Sequence, residues 1–105
     1  MKIAYIAHPI SGDVKGNIDK IIAIVRQINL TEPDTVPFAP YIVDLLALDD
    51  SKPEERARGI QNDTALLSSG LITELRLYGP HISSGMKHEA ALAKMMGIPV
   101  IDCLG

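Results

Sequence analysis

Residues 74–101 read ELRLYGPHISSGMKHEAALAKMMGIPVI, and this stretch decides the fold. Glu74–Tyr78 is a short strand-like run. Gly79–Ser83 is rich in turn formers. Met86, Ala90, Ala93 and Met96 or Gly97 then recur at helical spacing, which predicts a helix over Ser84–Met96 closed by Gly97. Ile98–Cys103 is apolar again and reads as a final strand. A strand, a short loop, a helix and a strand make a βαβ unit, which implies parallel pairing through a right-handed crossover.

Working outward, the same alternation continues. Ser51 and Glu54 form a capping-box pattern with Pro53 in the first turn, opening a helix over about Lys52–Ser69 that Gly70 ends. Tyr41–Leu48 is apolar and reads either as a short helix or as a packed loop. Thr35–Phe38 is a brief strand ended by Pro40. Ile18, Ile21, Ile22, Val25 and Ile28 give an amphipathic helix over Asn17–Asn29 with Asn17 as its N-cap. Lys2–Ala7 (KIAYIA) is apolar on both faces, the mark of a strand buried inside a parallel sheet. The expected fold is therefore α/β: a flavodoxin-like or Rossmann-like three-layer sandwich with a four- to five-stranded parallel sheet, in one domain spanning residues 1–105. Ligands of such sheets bind outside the carboxyl ends of the strands. Here those ends are His8–Gly16, Phe38–Tyr41 and Gly79–Gly85.

Composition narrows the function. Of 105 residues 47% are hydrophobic and 22% charged, as in globular chains. The net charge of −3 argues against binding a nucleic-acid polymer, which needs a basic face. No run approaches the ~18 apolar residues of a membrane span, and the N-terminus enters a strand without a signal-peptide pattern. A lone cysteine, Cys103, reads as a small buried hydrophobe and suits a reducing compartment. The expectation is a cytoplasmic protein without a membrane partner.

Two carboxylates stand out. Glu89 lies three residues after Met86 and four before Ala93, on or beside the buried stripe. Asp63 is flanked by Ile60 at i−3 and Leu67 at i+4, so it also leans inward. The plain reading of each is a residue at the edge of its stripe reaching solvent, since burying a carboxylate without a partner is costly. Two inward carboxylates can also serve cleavage at an anomeric carbon, where one stabilises or captures an oxocarbenium-like centre. Glu54 and Glu55 differ: they favour the helix dipole from its first turn. The segment Ile82-Ser83-Ser84-Gly85 precedes a helix N-terminus that suits an anion, although Ser84 is equally a plain N-cap. The first loop offers His8, Ser11 and Gly12. Neither loop carries GxGxxG or GxxxxGK. His8 and His81 fall in these loops and can touch a ligand, while His88 reads as solvated. No histidine pair has a metal-ligand spacing on a helix, so a metal is not expected.

The blocks YIAHPISGD, NIDKIIAIVRQI, PFAPYI, PEERARGIQND and residues 74–101 together resemble the nucleoside 2-deoxyribosyltransferase-like superfamily, including its small phage and bacterial members and the nucleoside 5′-monophosphate N-glycosidases. The resemblance implies that Glu89 acts at the anomeric carbon, that Asp63 lies near the sugar and leaving base, and that Tyr5 borders the site. It implies that Ser11, Gly12, Ser83 and Gly85 fall in the loops that hold sugar or phosphate; His8, Ser84 and Met86 in the same loops complete the expected substrate-binding set. His8 stands where the family usually has glycine. Ser83 stands where transferases acting on free nucleosides carry an aspartate, and a serine tolerates a phosphate dianion that an aspartate would repel. The implied activity is an N-glycosidase or deoxyribosyltransferase cleaving a nucleoside 5′-monophosphate or related nucleotide. The alternatives are a non-catalytic nucleotide-binding module, a sensor or sponge, and an interaction protein with a vestigial pocket. The family also implies a homodimer or higher homo-oligomer, for which Tyr41–Leu48 is the candidate interface or, equally, an intrachain core segment.

Overall fold

The computed structural model describes residues 1–105. Four strands, β1 (Lys2–Ala7), β2 (Thr35–Phe38), β3 (Glu74–Gly79) and β4 (Val100–Leu104), form one all-parallel sheet in the order β2-β1-β3-β4. The helices are α1 (Val14–Thr31), α2 (Tyr41–Ala47), α3 (Pro53–Leu67) and α4 (Ser84–Met95). The chain moves from β1 outward to β2, then crosses back to β3 and on to β4. Right-handed crossovers therefore put α1 on one face and α2, α3 and α4 on the other, a flavodoxin/Rossmann-like three-layer arrangement.

Packing follows the strand alternation. Ala4 and Ile6 pack with Ile28 of α1. Tyr5, Ala7, Leu75 and Leu77 point the other way, against Leu67 of α3 and Met86 and Ala93 of α4. β2 and β4 are the edges. Pro37 is tolerated in β2 because that strand pairs only with β1, so its missing N–H faces no ladder partner. β4 carries Cys103 at an edge, half-buried rather than in the core, because only α1 lies on that face and it covers β1 and β2.

Element boundaries shift for identifiable reasons. Asp13, not Asn17, caps α1 by accepting the Gly16 N–H at 3.1 Å, so the helix starts earlier. Asn17 instead donates to the Ile10 carbonyl at 2.9 Å and ties down the first loop. The Ser51–Glu54 capping box does not form. The Ser51 hydroxyl donates to Asp49 at 2.6 Å, Lys52 takes the cap position without a side-chain bond, and Pro53 begins α3. Tyr41–Ala47 is a helix. The last strand begins at Val100 because Ile98 belongs to the end of α4: its N–H donates to the Ala93 carbonyl at 2.8 Å and the Gly97 N–H to the Lys94 carbonyl at 3.2 Å. That pair of bonds is a Schellman closure, and it needs the positive φ of +72° that Gly97 supplies.

On the α1 face a charged cluster replaces apolar packing. The Arg76 guanidinium donates both Nη atoms to Glu32, at 2.9 and 2.8 Å, and Nε to Glu74 at 2.6 Å. Arg76 and Glu74 are both buried, and the fork geometry satisfies both carboxylates. The Glu32 contact holds that carboxyl below its ordinary range.

Candidate active site

β1 and β3 are the neighbours from which the chain departs in opposite directions, so a crevice opens at their carboxyl ends. A cavity of about 400 Å³ lies there on the side of α2, α3 and α4. β1 lies beneath it and supports its wall from below. Tyr5 is fully buried, and its hydroxyl donates to Glu89 Oε2 at 2.5 Å. Tyr41 packs its ring 5.9 Å from that of Tyr5, tilted by 43°, and its hydroxyl donates to the Ile6 carbonyl. α4 carries Glu89 into the cavity because Met86 and Ala93, one turn to either side, are held in the core.

Burial raises the Glu89 carboxyl to about 7; the Tyr5 hydrogen bond opposes that rise and the charge of Asp63 adds to it. Asp63 sits opposite on α3. Burial and the charge of Asp44 raise it to about 6. Its Oδ1 is buried without a hydrogen-bond partner, so the protein leaves one acceptor unmet inside the cavity wall. Burial, then the Glu89 and Asp63 carboxylates, push the Tyr5 and Tyr41 hydroxyls far up, so both stay protonated donors at any physiological pH. Two carboxyls, both with raised proton affinity, therefore line one cavity, and Glu89 also feels the charge of Asp63.

The rim comes from the loops. Ser11 of the first loop faces the cavity, as do Ser83, Ser84 and Gly85 at the start of α4. Ser83 is the cap: its Oγ accepts the Met86 N–H at 3.3 Å. Ser84 is thus the first helical residue rather than the cap, and its side chain stays exposed at the rim. His8 is buried beneath the rim, its Nδ1 2.7 Å from the Pro9 carbonyl oxygen. Gly79 allows this. It has φ of +98°, and a Cβ there would stand 2.7 Å from Pro9 Cδ and 3.4 Å from His8 Nε2.

The residues singled out in the sequence therefore divide. Glu89, Asp63, His8, Ser11, Ser83, Ser84, Gly85 and Met86 all line the cavity, Met86 mainly as core. Tyr5 does not line it but supports Glu89 from below. Gly12 makes a turn outside it, and His81 is exposed away from it. His88, read as solvated, is exposed yet stands at the cavity mouth. Sequence reasoning passed over Tyr41, Asp44 and Arg56, which α2 and α3 bring to the wall. The one available signal was a single acid inside the apolar run YIVDLLAL.

Comparison with protein families finds a match over residues 2–103 to a domain of unknown function, DUF7768. The chain belongs to the DUF7768 family. No curated protein matches it. The DUF7768 match spans the chain almost from end to end, so the cavity and both carboxylates fall inside the matched region. No helix is long and apolar enough to cross a membrane.

Proposed function

We propose that this cavity is the active site of an enzyme that breaks the N-glycosidic bond of a nucleoside 5′-monophosphate or related nucleotide, in the cytoplasm and without a metal or organic cofactor. The observation that carries the reading is Glu89: a carboxylate on the cavity wall, gripped by the Tyr5 hydroxyl and facing a second carboxylate, Asp63. That is the equipment for a cationic, oxocarbenium-like centre. The resemblance in the loop and helix blocks points the same way.

In the proposed mechanism the reactive form is the minority one in which Asp63 holds the proton although Glu89 has the higher affinity. The ionised Glu89 attacks C1′ as the C1′–N bond breaks. The bonding pair leaves with the base nitrogen, which takes the proton of Asp63. Water then attacks C1′, gives its proton to Asp63, and releases Glu89 with the sugar phosphate. The Tyr5 hydrogen bond fixes the Glu89 carboxylate and lowers its proton affinity against the effect of burial. Ser11 and the first turn of α4 hold the phosphate end, where N–H groups and the helix dipole favour an anion. Asp13, the nearest acid in that loop, is occupied in capping α1.

The test is an end-point assay for free base over ribo- and deoxyribonucleoside 5′-monophosphates, with Glu89→Ala beside the wild type. Base released by the wild type alone supports the reading. No base from any substrate overturns it. A nucleotide that still raises the melting temperature would then favour the binding-module alternative, since ligand at 100 times Kd adds ~2.7 kcal/mol. The reading also expects a homodimer. The exposed Val43 and Leu46 on α2, beside the cavity, are the supporting surface.

A further inference from the structure

Resting on the N-glycosidic reading, we propose that Asp44 selects the leaving group, so that the α2–α3 end of the cavity takes a base bearing an exocyclic amine in preference to its oxo counterpart.

The first argument is position. Glu89 of α4, Asp63 of α3 and Asp44 of α2 line the same cavity, and Asn62, next to Asp63 on α3, lies 3.2 Å from Asp44. The three carboxylates thus run from α4 through α3 to α2. In this pose a sugar with C1′ at Glu89 and its phosphate toward Ser11 and Ser84 directs its base toward Asp63 and Asp44.

The second argument is chemistry. Five carboxylates line the cavity, those of Asp44, Asp50, Glu55, Asp63 and Glu89, against one guanidinium, Arg56. Glu55 is already engaged: it accepts the Asp49 N–H at 3.0 Å and lies 3.6 Å from Lys52 Nζ. Asp50 is at the exposed rim. With Glu89 assigned to C1′, Asp44 and Asp63 are the two left to meet the base. Asp63 Oδ1 lacks a partner. Asp44 is held through one oxygen only, Oδ2, by Asn62 Nδ2 at 3.2 Å. Arg58 Nε donates to Asn62 Oδ1 at 3.1 Å, which fixes the amide with its NH₂ toward Asp44. Asn62 is therefore a positioning residue, and Asp44 presents an oriented acceptor to the cavity. A wall of unmet acceptors gains charge-assisted hydrogen bonds from N–H donors and repels lone pairs. An exocyclic amine offers two donors. An oxo group at the same ring position offers only lone pairs. A site built around such bonds discriminates far more strongly than an apolar pocket.

The experiment compares matched pairs: cytidine against uridine 5′-monophosphate and adenosine against inosine 5′-monophosphate, in ribo and deoxy forms. kcat/KM and, by calorimetry, Kd are measured for wild type, Asp44→Asn and Asn62→Ala, with thermal unfolding to confirm that each is folded. The expected result is at least about a tenfold preference for the amino member in the wild type. Asp44→Asn should reduce the ratio to within about threefold, and Asn62→Ala should lower the ratio part-way. Equal handling of both members by the wild type overturns the proposal, as does a preference that Asp44→Asn leaves unchanged. If no substrate is turned over, the N-glycosidic reading falls by itself and calorimetry decides this one. Tighter amino binding that depends on Asp44 upholds it, and its absence overturns it.

Discussion

Replacing Glu89 with glutamine should make the folded protein more stable at pH 8 and abolish turnover. The magnitude follows from the proton affinity of the carboxyl. Burial raises Glu89 from 4.5 to about 7 in the folded state. At ~1.4 kcal/mol per pH unit, ionising it inside the fold at pH 8 costs about 3 kcal/mol relative to the unfolded chain. The sign is fixed by which state holds the proton. Between pH 4.5 and about 7 the folded protein keeps a proton that the unfolded chain has released. Stability from this group is therefore complete below about pH 4.5 and is lost as pH rises through about 7. Glutamine never ionises and can still accept the Tyr5 hydrogen bond. Its amide NH₂ loses about 1 kcal/mol for want of a partner, which leaves a net gain of about 2 kcal/mol. For a 105-residue chain that raises Tm by about 10 °C. At pH 5 the wild type recovers most of its deficit, and the two proteins should melt together. Circular dichroism melts of both proteins from pH 4.5 to 8 make the measurement, and groups common to both cancel in the difference. A variant no more stable than wild type at pH 8, or a difference that does not shrink toward pH 5, refutes the reasoning.

Three further outcomes are expected. The activity should follow a bell with limbs near pH 6 and 7, because the reaction needs one proton shared between Asp63, raised to about 6, and Glu89, raised to about 7; a kcat/KM profile flat from pH 5 to 8 contradicts this. Arg76→Ala should destabilise the fold by about 3 kcal/mol in urea denaturation, since it leaves the buried Glu74 with only the more distant Lys2 ammonium at 3.9 Å; a loss under ~1 kcal/mol would show that water or Lys2 takes over the contact. Gly79→Ala should cost about 2 kcal/mol or more, because its φ is +98° and its Cβ would meet Pro9, and it should weaken nucleotide binding by displacing His8; unchanged affinity in titration calorimetry would detach His8 from the site.

What was readable from the chain was whatever depends on neighbours in sequence. KIAYIA, ELRLYG and the Met86/Ala93 spacing carry strand and helix periods locally, and the alternation of the two implies a parallel sheet. Those periods also turned Glu89 and Asp63 inward. Caps were misread where two acceptors compete within a few residues. Asp13 won over Asn17, Ser83 over Ser84, and Asp49 drew the hydroxyl of Ser51, because the choice rests on loop dihedrals that distant contacts set. Only the tertiary structure decided that Tyr5 reaches Glu89 across 84 positions and that Asp44 charges Asp63. It alone set Arg76 between Glu32 and Glu74 on the face that α1 leaves partly open. A residue's propensity is a property of its own segment. Its partner and its proton affinity depend on which segments the strand order β2-β1-β3-β4 brings together.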